Sequence, residues 1–252
     1  MNDSIKSASR VLDMLELFST RCDGLTLTDV SKGLGLPKSS TLGLLRTLHG
    51  RGYLVREADD LYKLNDIVRR DGFARHGRLL RVAPPAMRAL ADELGETVIL
   101  AITGSPGMVR LIAKEVATRE VRFDVDLPRQ EPAYCTAIGR VLLGAQDDAQ
   151  VATALAAVPR RQVTDATLTD QQAIEERIAE ARRSGVSIVE DELVLGATGI
   201  AALIPRTGQQ TLAALNVGCI SARFNANRER IILALQTAAN GIGSAMQPDR
   251  AA

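Results

Sequence analysis

Gly35-Leu36-Pro37 constrains this chain more than any other three residues. Glycine enters a left-handed turn without steric cost, and proline opens a helix well because its missing N–H falls where no helical partner exists. One helix must therefore stop before the tripeptide and another begin after it. Upstream, Thr26-Leu27-Thr28-Asp29 has capping-box spacing, with Thr26 placed to cap the Asp29 amide and Asp29 to reach back. The helix it opens is short, because Gly33 and Gly35 end it. Downstream, Thr41, Leu44, Leu45 and Leu48 recur at i, i+3, i+4 and i+7, which predicts an amphipathic helix to about Gly50. A first helix precedes both, with Ile5, Ala8, Val11, Leu12, Leu15 and Phe18 on its apolar face and Ser4 or Asp3 as N-cap.

After Gly52, the β-rich segments Tyr53–Arg56 and Leu61–Leu64 flank Glu57-Ala58-Asp59-Asp60, the pattern of a short hairpin. Three helices and a hairpin make a winged helix-turn-helix over residues 1–64. The inward leucines leave Lys38, Ser39, Leu42, Gly43 and Arg46 on the outer face of the third helix, with Ser40 and Thr47 at its edges. Small hydroxyls between a lysine and an arginine let a helix approach phosphates closely and still reach base edges in a major groove. From Val30 to Arg56 the chain holds Lys32, Lys38, Arg46, Arg51 and Arg56 and no acid. The formal net charge of +1 hides this, because residues 1–81 carry 14 Lys+Arg against 10 Asp+Glu and the remainder 17 against 20. Such a local field draws a polyanion. A three-helix domain without a nucleic-acid role shares the topology, but the acid-free stretch falls on the third helix and turn, which favours double-stranded DNA. Lys38 and Arg46 are the candidate phosphate or base contacts, and Arg56 extends the set onto the hairpin.

Residues 65–81, NDIVRRDGFARHGRLLR, read as a linker helix, and Pro84-Pro85 as the start of another that ends at Gly95. Apolar strands are expected at Thr97–Thr103 and Met108–Val116 around a Gly104–Gly107 turn, and near Val121–Val125, Val186–Glu190, Gly199–Ile204 and Thr211–Cys219. Helices are expected near Ala137–Gly144, Gln150–Val158 and Thr169–Arg183, the last with a Thr169…Gln172 box, and after Asn225. Residues 82–252 thus form an α/β sheet domain, and the whole chain is of α+β class. Catalysis finds little support here, since His49 and His76 both lie outside this domain. Glu190-Asp191-Glu192 reads as a solvated strand edge rather than a metal site, and neither metal nor cofactor is expected. Cys22, Cys135 and Cys219 form no CxxC pair, which suits a reducing cytoplasm. Cys135 is a better buried residue than a redox sensor, although the second reading stays open. Asp13 and Glu16 interrupt any signal sequence, and no apolar run approaches membrane-spanning length, so no membrane partner is expected.

Pro132 to Leu143 carries the clearest binding signal. Thr136 can cap a helix whose first amides, from Ala137, Ile138 and Gly139, are flanked by small side chains. Free N–H groups and the helix dipole there suit a carboxylate, while an ordinary buried helix start fits the same residues.

Several blocks in order resemble the isocitrate-lyase-regulator (IclR) type of transcription factor: Ser9-Arg10-Val11-Leu12, Gly35–Ser40 with Leu44–Leu48, Arg51-Gly52-Tyr53, Gly95-Glu96-Thr97-Val98 and Cys135–Gly139. The resemblance covers nearly the whole chain. It implies a winged helix-turn-helix, a linker helix, a C-terminal GAF-like effector-binding domain, and homodimers or dimers of dimers on operator DNA. Pro132–Arg140 with Ala214–Val217 looks most like the branch controlling protocatechuate and p-hydroxybenzoate breakdown. That likeness implies a small organic acid, aromatic or from ring cleavage, held by Thr136, Ala137, Ile138 and Gly139. It also implies Val189, Leu195 and Val217 as an apolar wall and Thr198 or Asn216 as a polar contact; Arg140, one residue further into the helix, adds charge or points to solvent. Two departures stand out. Leu42-Gly43 replaces the family's usual His-Arg on the DNA-facing helix, and Thr198-Gly199 replaces the branch's Arg-Ser. The acid and thiol of the glyoxylate-responsive branch are absent at Val189 and Gly199, which argues against glyoxylate as the effector. An enzyme fused to a DNA-binding head is the remaining rival.

Overall fold

The computed structural model describes residues 5–21, 23–57, 60–64, 73–127, 129–206 and 211–247. The candidate caps Asp3 and Ser4, Cys22, the turn residues Ala58 and Asp59, and residues 65–72 of the expected linker helix lie outside them. The chain falls into two compact units, residues 1–81 with 207–211, and residues 82–206 with 212–252.

The first unit contains α1 (Lys6–Ser19), α2 (Leu27–Leu34), α3 (Lys38–Gly50) and an antiparallel pair, β1 (Leu54–Arg56) and β2 (Tyr62–Leu64), with Leu54 opposite Leu64. The Thr26 cap forms as the spacing requires. Asp29 N donates to Thr26 Oγ1 at 3.2 Å and Thr26 N to Asp29 Oδ2 at 2.9 Å. Gly35 sits at φ 61°, in the left-handed region, and ends α2. Met14, Leu15, Phe18, Val30, Leu45, Leu48, Leu54 and Tyr62 close the core. The apolar face of α1 is wider than this core: Ile5 is 72% and Leu12 48% exposed, where the sequence pattern turned them inward. Helical period identifies apolar positions but not how many of them one small core has room to cover.

One helix, α4 (Phe73–Leu94), replaces the two expected around Pro84-Pro85. Proline keeps a helical φ while forfeiting its own N–H, and here Ala83, Met87 and Leu90, all buried, anchor the helix on either side of the two prolines. A six-stranded antiparallel sheet follows, from β3 (Thr97–Thr103), β4 (Met108–Glu115), β5 (Arg129–Pro132), β6 (Val186–Glu190), β7 (Ala197–Leu203) and β8 (Ala213–Ile220) in the order β5-β4-β3-β8-β7-β6. Ile99 and Ala101 pack into a core with α5 (Ala137–Gly144), α6 (Asp148–Ala156) and α7 (Gln171–Ser184). Their alternating neighbours Val98 and Leu100 are equally buried, and α8 (Ser221–Ala245) packs on β7 and β8. Coverage of both faces is why the central strands read as unbroken apolar runs.

Three local expectations change. Val121–Val125 is not a strand; its apolar residues Phe123 and Val125 face a cavity instead. Asp170, not Thr169, caps α7, its carboxylate accepting from Ala173 N at 2.9 Å. The last helix starts at Ser221 rather than after Asn225 and breaks at Asn227. Among the described residues no helix is long and apolar enough to cross a membrane.

Candidate functional site

α3 is held by its buried face, Thr41, Leu45 and Leu48, while Lys38, Ser39, Ser40, Gly43 and Arg46 are exposed and Leu42 is half-buried. His49 Nδ1 lies 3.1 Å from Leu54 O and ties the end of α3 to β1. Among the described residues neither Lys38 nor Arg46 has a hydrogen-bond or ion-pair partner. A side chain added at Gly43 would meet open space, so this stretch of helix presents a bare backbone outward. Arg56 is placed differently from the other six candidate DNA contacts. Asp60 accepts from its Nε at 3.1 Å, and its guanidinium lies 5.9 Å from the Tyr62 ring centroid.

In the second unit, Thr136 caps α5. Its Oγ1 accepts from Gly139 N at 3.1 Å and donates to Pro132 O at 3.0 Å. Gly139 itself is packed too tightly for a side chain, since a Cβ there would lie 2.1 Å from Ala133 O. Its amide is therefore committed, and the amides of Ala137 and Ile138 are the two that have no acceptor among the described residues. Both border a cavity of about 60 Å³. Six of the nine expected effector contacts line it: Thr136, Ala137, Ile138, Val189, Thr198 and Asn216. Gly139, Leu195 and Val217 do not. Along β8, Asn216 and Gly218 face the cavity, so the intervening Val217 points to the opposite side of the sheet. Leu195, 78% exposed, sits at the tip of the β6–β7 loop, and its neighbours Leu193 and Val194 take the wall position. Asn216 is 5% exposed and stands close to the start of α5: a Cβ built on Gly199 would lie 3.3 Å from Asn216 Oδ1 and 3.6 Å from Ala137 Cβ. Thr198 spends its hydroxyl on Ser221 Oγ at 2.9 Å.

Arg140 neither faces solvent nor lines this cavity. It is 1% exposed, donates to both Glu192 carboxylate oxygens at 2.7 Å, and gives its Nε to Tyr134 O at 3.0 Å. Glu192 also accepts from Leu168 N at 3.0 Å. The acidic run 190–192 is thus not a solvated edge. Glu190 alone is exposed, while Asp191 accepts from Gly196 N and Ser221 Oγ at the left-handed φ of 62° and pins the β6–β7 loop. The sequence offered no sign of this, because the two ends of the ion pair stand 52 residues apart. Glu131 was also missed; it lines the cavity from β5, and burial raises its carboxyl above the ordinary range. Burial pushes the Cys135 thiol up to about 11 and that of Cys219 to about 12, so neither is activated for redox chemistry. Among the described residues no group of three His, Cys, Asp or Glu is placed to hold a metal.

A basic helix-turn-helix and a separate α/β unit with a small cavity at the start of α5 define a DNA-binding regulator with an effector domain. The chain belongs to the IclR family of bacterial transcriptional regulators: residues 7–58 match the IclR helix-turn-helix domain and residues 73–244 the bacterial transcriptional regulator IclR C-terminal domain. It is 27% identical over 216 residues to the Pca regulon regulatory protein of Pseudomonas putida, covering 85% of this chain and 74% of that one. It is 26% identical over 229 residues to the transcriptional repressor IclR of Escherichia coli, covering 89% and 83%. The aromatic-acid branch is therefore no nearer than others. The crystal structure of an IclR homologue complexed with 4-hydroxybenzoate, from Microbacterium hydrocarbonoxydans, shares the fold with a TM-score of 0.61, at 24% identity over 95% of this chain and 98% of that one. The relatives are regulators of transcription rather than enzymes.

Proposed function

We propose that this regulator places α3 in the major groove of operator DNA and releases or engages it on binding a small organic acid, aromatic or derived from ring cleavage. One observation carries the effector half. Ala137 and Ile138, at the positive end of α5 and with no amide acceptor among the described residues, line a mostly apolar cavity that Asn216 also lines. Thr136, Val189 and Thr198 complete that end. The homologue crystallised with 4-hydroxybenzoate lends support to an aromatic acid.

The protein acts in the cytoplasm as a homodimer, or a dimer of dimers, on a palindromic operator. One short recognition helix rarely reaches specific affinity alone, and the exposed Leu12 on α1 and Ile5 just before it offer apolar surface for a second copy. The DNA face comprises Lys38, Ser39, Ser40, Leu42, Gly43 and Arg46, with Arg56 on the hairpin held by Asp60. Thermal melting of the full chain with protocatechuate, p-hydroxybenzoate, related aromatic acids and ring-cleavage acids tests the effector reading. A ligand at a hundred times its dissociation constant adds about 2.7 kcal/mol of stability. A transition that moves with a neutral sugar or an amine, and with none of the acids, disproves it.

A further inference from the structure

Two ion-paired carboxyl groups border the mostly apolar cavity. Glu131 on β5 and Glu192 in the β6–β7 loop both line it, and among the described residues no lysine or arginine does. Arg140, the guanidinium buried nearby, gives its donors to Glu192 and Tyr134 O. Glu131 is 8% exposed, and Arg129 Nε lies 3.2 Å from its Oε1. A carboxylate has lone pairs for about four hydrogen bonds, so one ion pair leaves Glu131 free to accept from whatever fills the cavity. Burial keeps its carboxyl above the ordinary range in spite of Arg129, and a further donor would relieve that cost.

The donor end lies elsewhere. Asn216 stands on β8, three strands from β5 in the sheet order, or about 14 Å measured along the sheet at ordinary strand spacing. Its side chain has no partner among the described residues and sits beside Ala137 at the start of α5. Ile99 on β3 and Leu111 on β4 line the apolar stretch between. A ligand that satisfies the cavity needs an anionic group for Asn216 and the α5 amides, an apolar body, and a hydrogen-bond donor for Glu131.

Building on the proposed anion-binding end, we infer that the cavity selects a monocarboxylic acid with a hydroxyl or amino donor remote from its carboxylate, which Glu131 accepts, and rejects dicarboxylic acids. A second carboxylate would meet Glu131 with Arg129 already committed and, among the described residues, no lysine or arginine on the cavity wall.

Calorimetric titration of the full chain with benzoate, 4-hydroxybenzoate, 4-aminobenzoate, terephthalate and methyl 4-hydroxybenzoate tests this. The hydroxy and amino acids should bind about tenfold or more tighter than benzoate, as expected for a hydrogen bond to a charged acceptor, and terephthalate weaker than benzoate. In Glu131→Leu the preference for the donor should vanish, and in Glu131→Gln terephthalate should gain affinity; the wild-type series alone decides if a variant does not fold. Equal binding of benzoate and 4-hydroxybenzoate, or terephthalate binding as tightly as 4-hydroxybenzoate, overturns the role of Glu131 and leaves the anion end standing. The methyl ester binding as tightly as its acid overturns the anion end, and absence of binding by all five overturns both.

Discussion

Two arginines show how differently the halves of this molecule use one side chain. Arg46 is exposed on α3, and among the described residues nothing engages it. Arg140 is 1% exposed, with all its bonds made inside the protein. A guanidinium meant for a polyanion must stay solvated and uncommitted until the partner arrives. One enclosed in a core must be fully paired, because an unpaired buried charge costs several kcal/mol. The arginine to assign to a ligand is therefore the one without a partner, and by that rule Arg140 braces the β6–β7 loop against α5 and does not take the effector.

The largest effect expected from this contrast follows removal of one half of the buried pair. Glu192→Ala strands Arg140 and should destabilise the fold by about 3–5 kcal/mol in denaturant unfolding, whereas the double change Arg140→Met with Glu192→Leu should recover most of the loss. The exposed pair in the first unit behaves otherwise: Asp60→Ala should leave the melting temperature within about 1 °C of wild type. Equal losses for Glu192→Ala and Asp60→Ala would break the comparison.

Glycines on the two helices give the next effect. A Cβ at Gly139 meets the Ala133 carbonyl oxygen at 2.1 Å, so Gly139→Ala must move backbone and should cost about 1–3 kcal/mol. At Gly43, on α3, a Cβ meets nothing, and Gly43→Ala should stabilise by about 0.5–1 kcal/mol through helix propensity. Paired melting curves decide, and the sign of each shift matters more than its size.

On the DNA side, Arg46→Ala should cost about 1–3 kcal/mol of operator affinity and relax specificity at one base pair if Arg46 reads a base. Lys38→Ala should weaken all sequences alike and reduce the salt slope by about 1 if Lys38 neutralises a phosphate. Gel-shift titrations across salt separate the two, and unchanged affinity in both variants removes α3 from the interface.

These differences also mark what the sequence could and could not express. The helix-turn-helix was legible because its signals are local: the Thr26 box, the Gly35-Leu36-Pro37 turn and the leucine spacing of α3 each act within a few residues. Thr136 was legible for the same reason. The strand positions of the cavity were not legible locally; the family resemblance supplied them. Asn216 was found, but Val217 was assigned to the wrong side of β8, since a fully covered sheet erases the polar alternation that would tell its faces apart. Arg140 with Glu192, and Glu131 on the cavity wall, depend on strand order and loop closure, and no local pattern encodes either. The missed exposure of Ile5 and Leu12 has another cause, since apolar period says nothing about how much surface one unit covers by itself.

The smallest expected effect compares two carboxyl groups of opposite sense. Hydrogen bonds from Thr26 hold Asp29 below the ordinary range, and burial raises Glu131 above it. For Asp29 the unfolded chain takes up its proton first as pH falls, so the stabilisation is present above the ordinary carboxyl range and is lost as pH drops through the lowered native value. For Glu131 the folded protein holds its proton to higher pH than the unfolded chain does. Stability therefore declines as pH rises from the ordinary value through the raised native one, and the penalty persists above it. Asp29→Asn should thus melt below wild type at pH 7 and converge with it in acid. Glu131→Gln, without effector, should melt above wild type at pH 7 and likewise converge in acid, each difference amounting to a few degrees at most. Melting curves from pH 3 to 8 for both variants check the signs. A Glu131→Gln protein less stable than wild type at pH 7 would mean that Arg129 outweighs burial, and that Glu131 already has the partner its place in the cavity leaves open to a ligand.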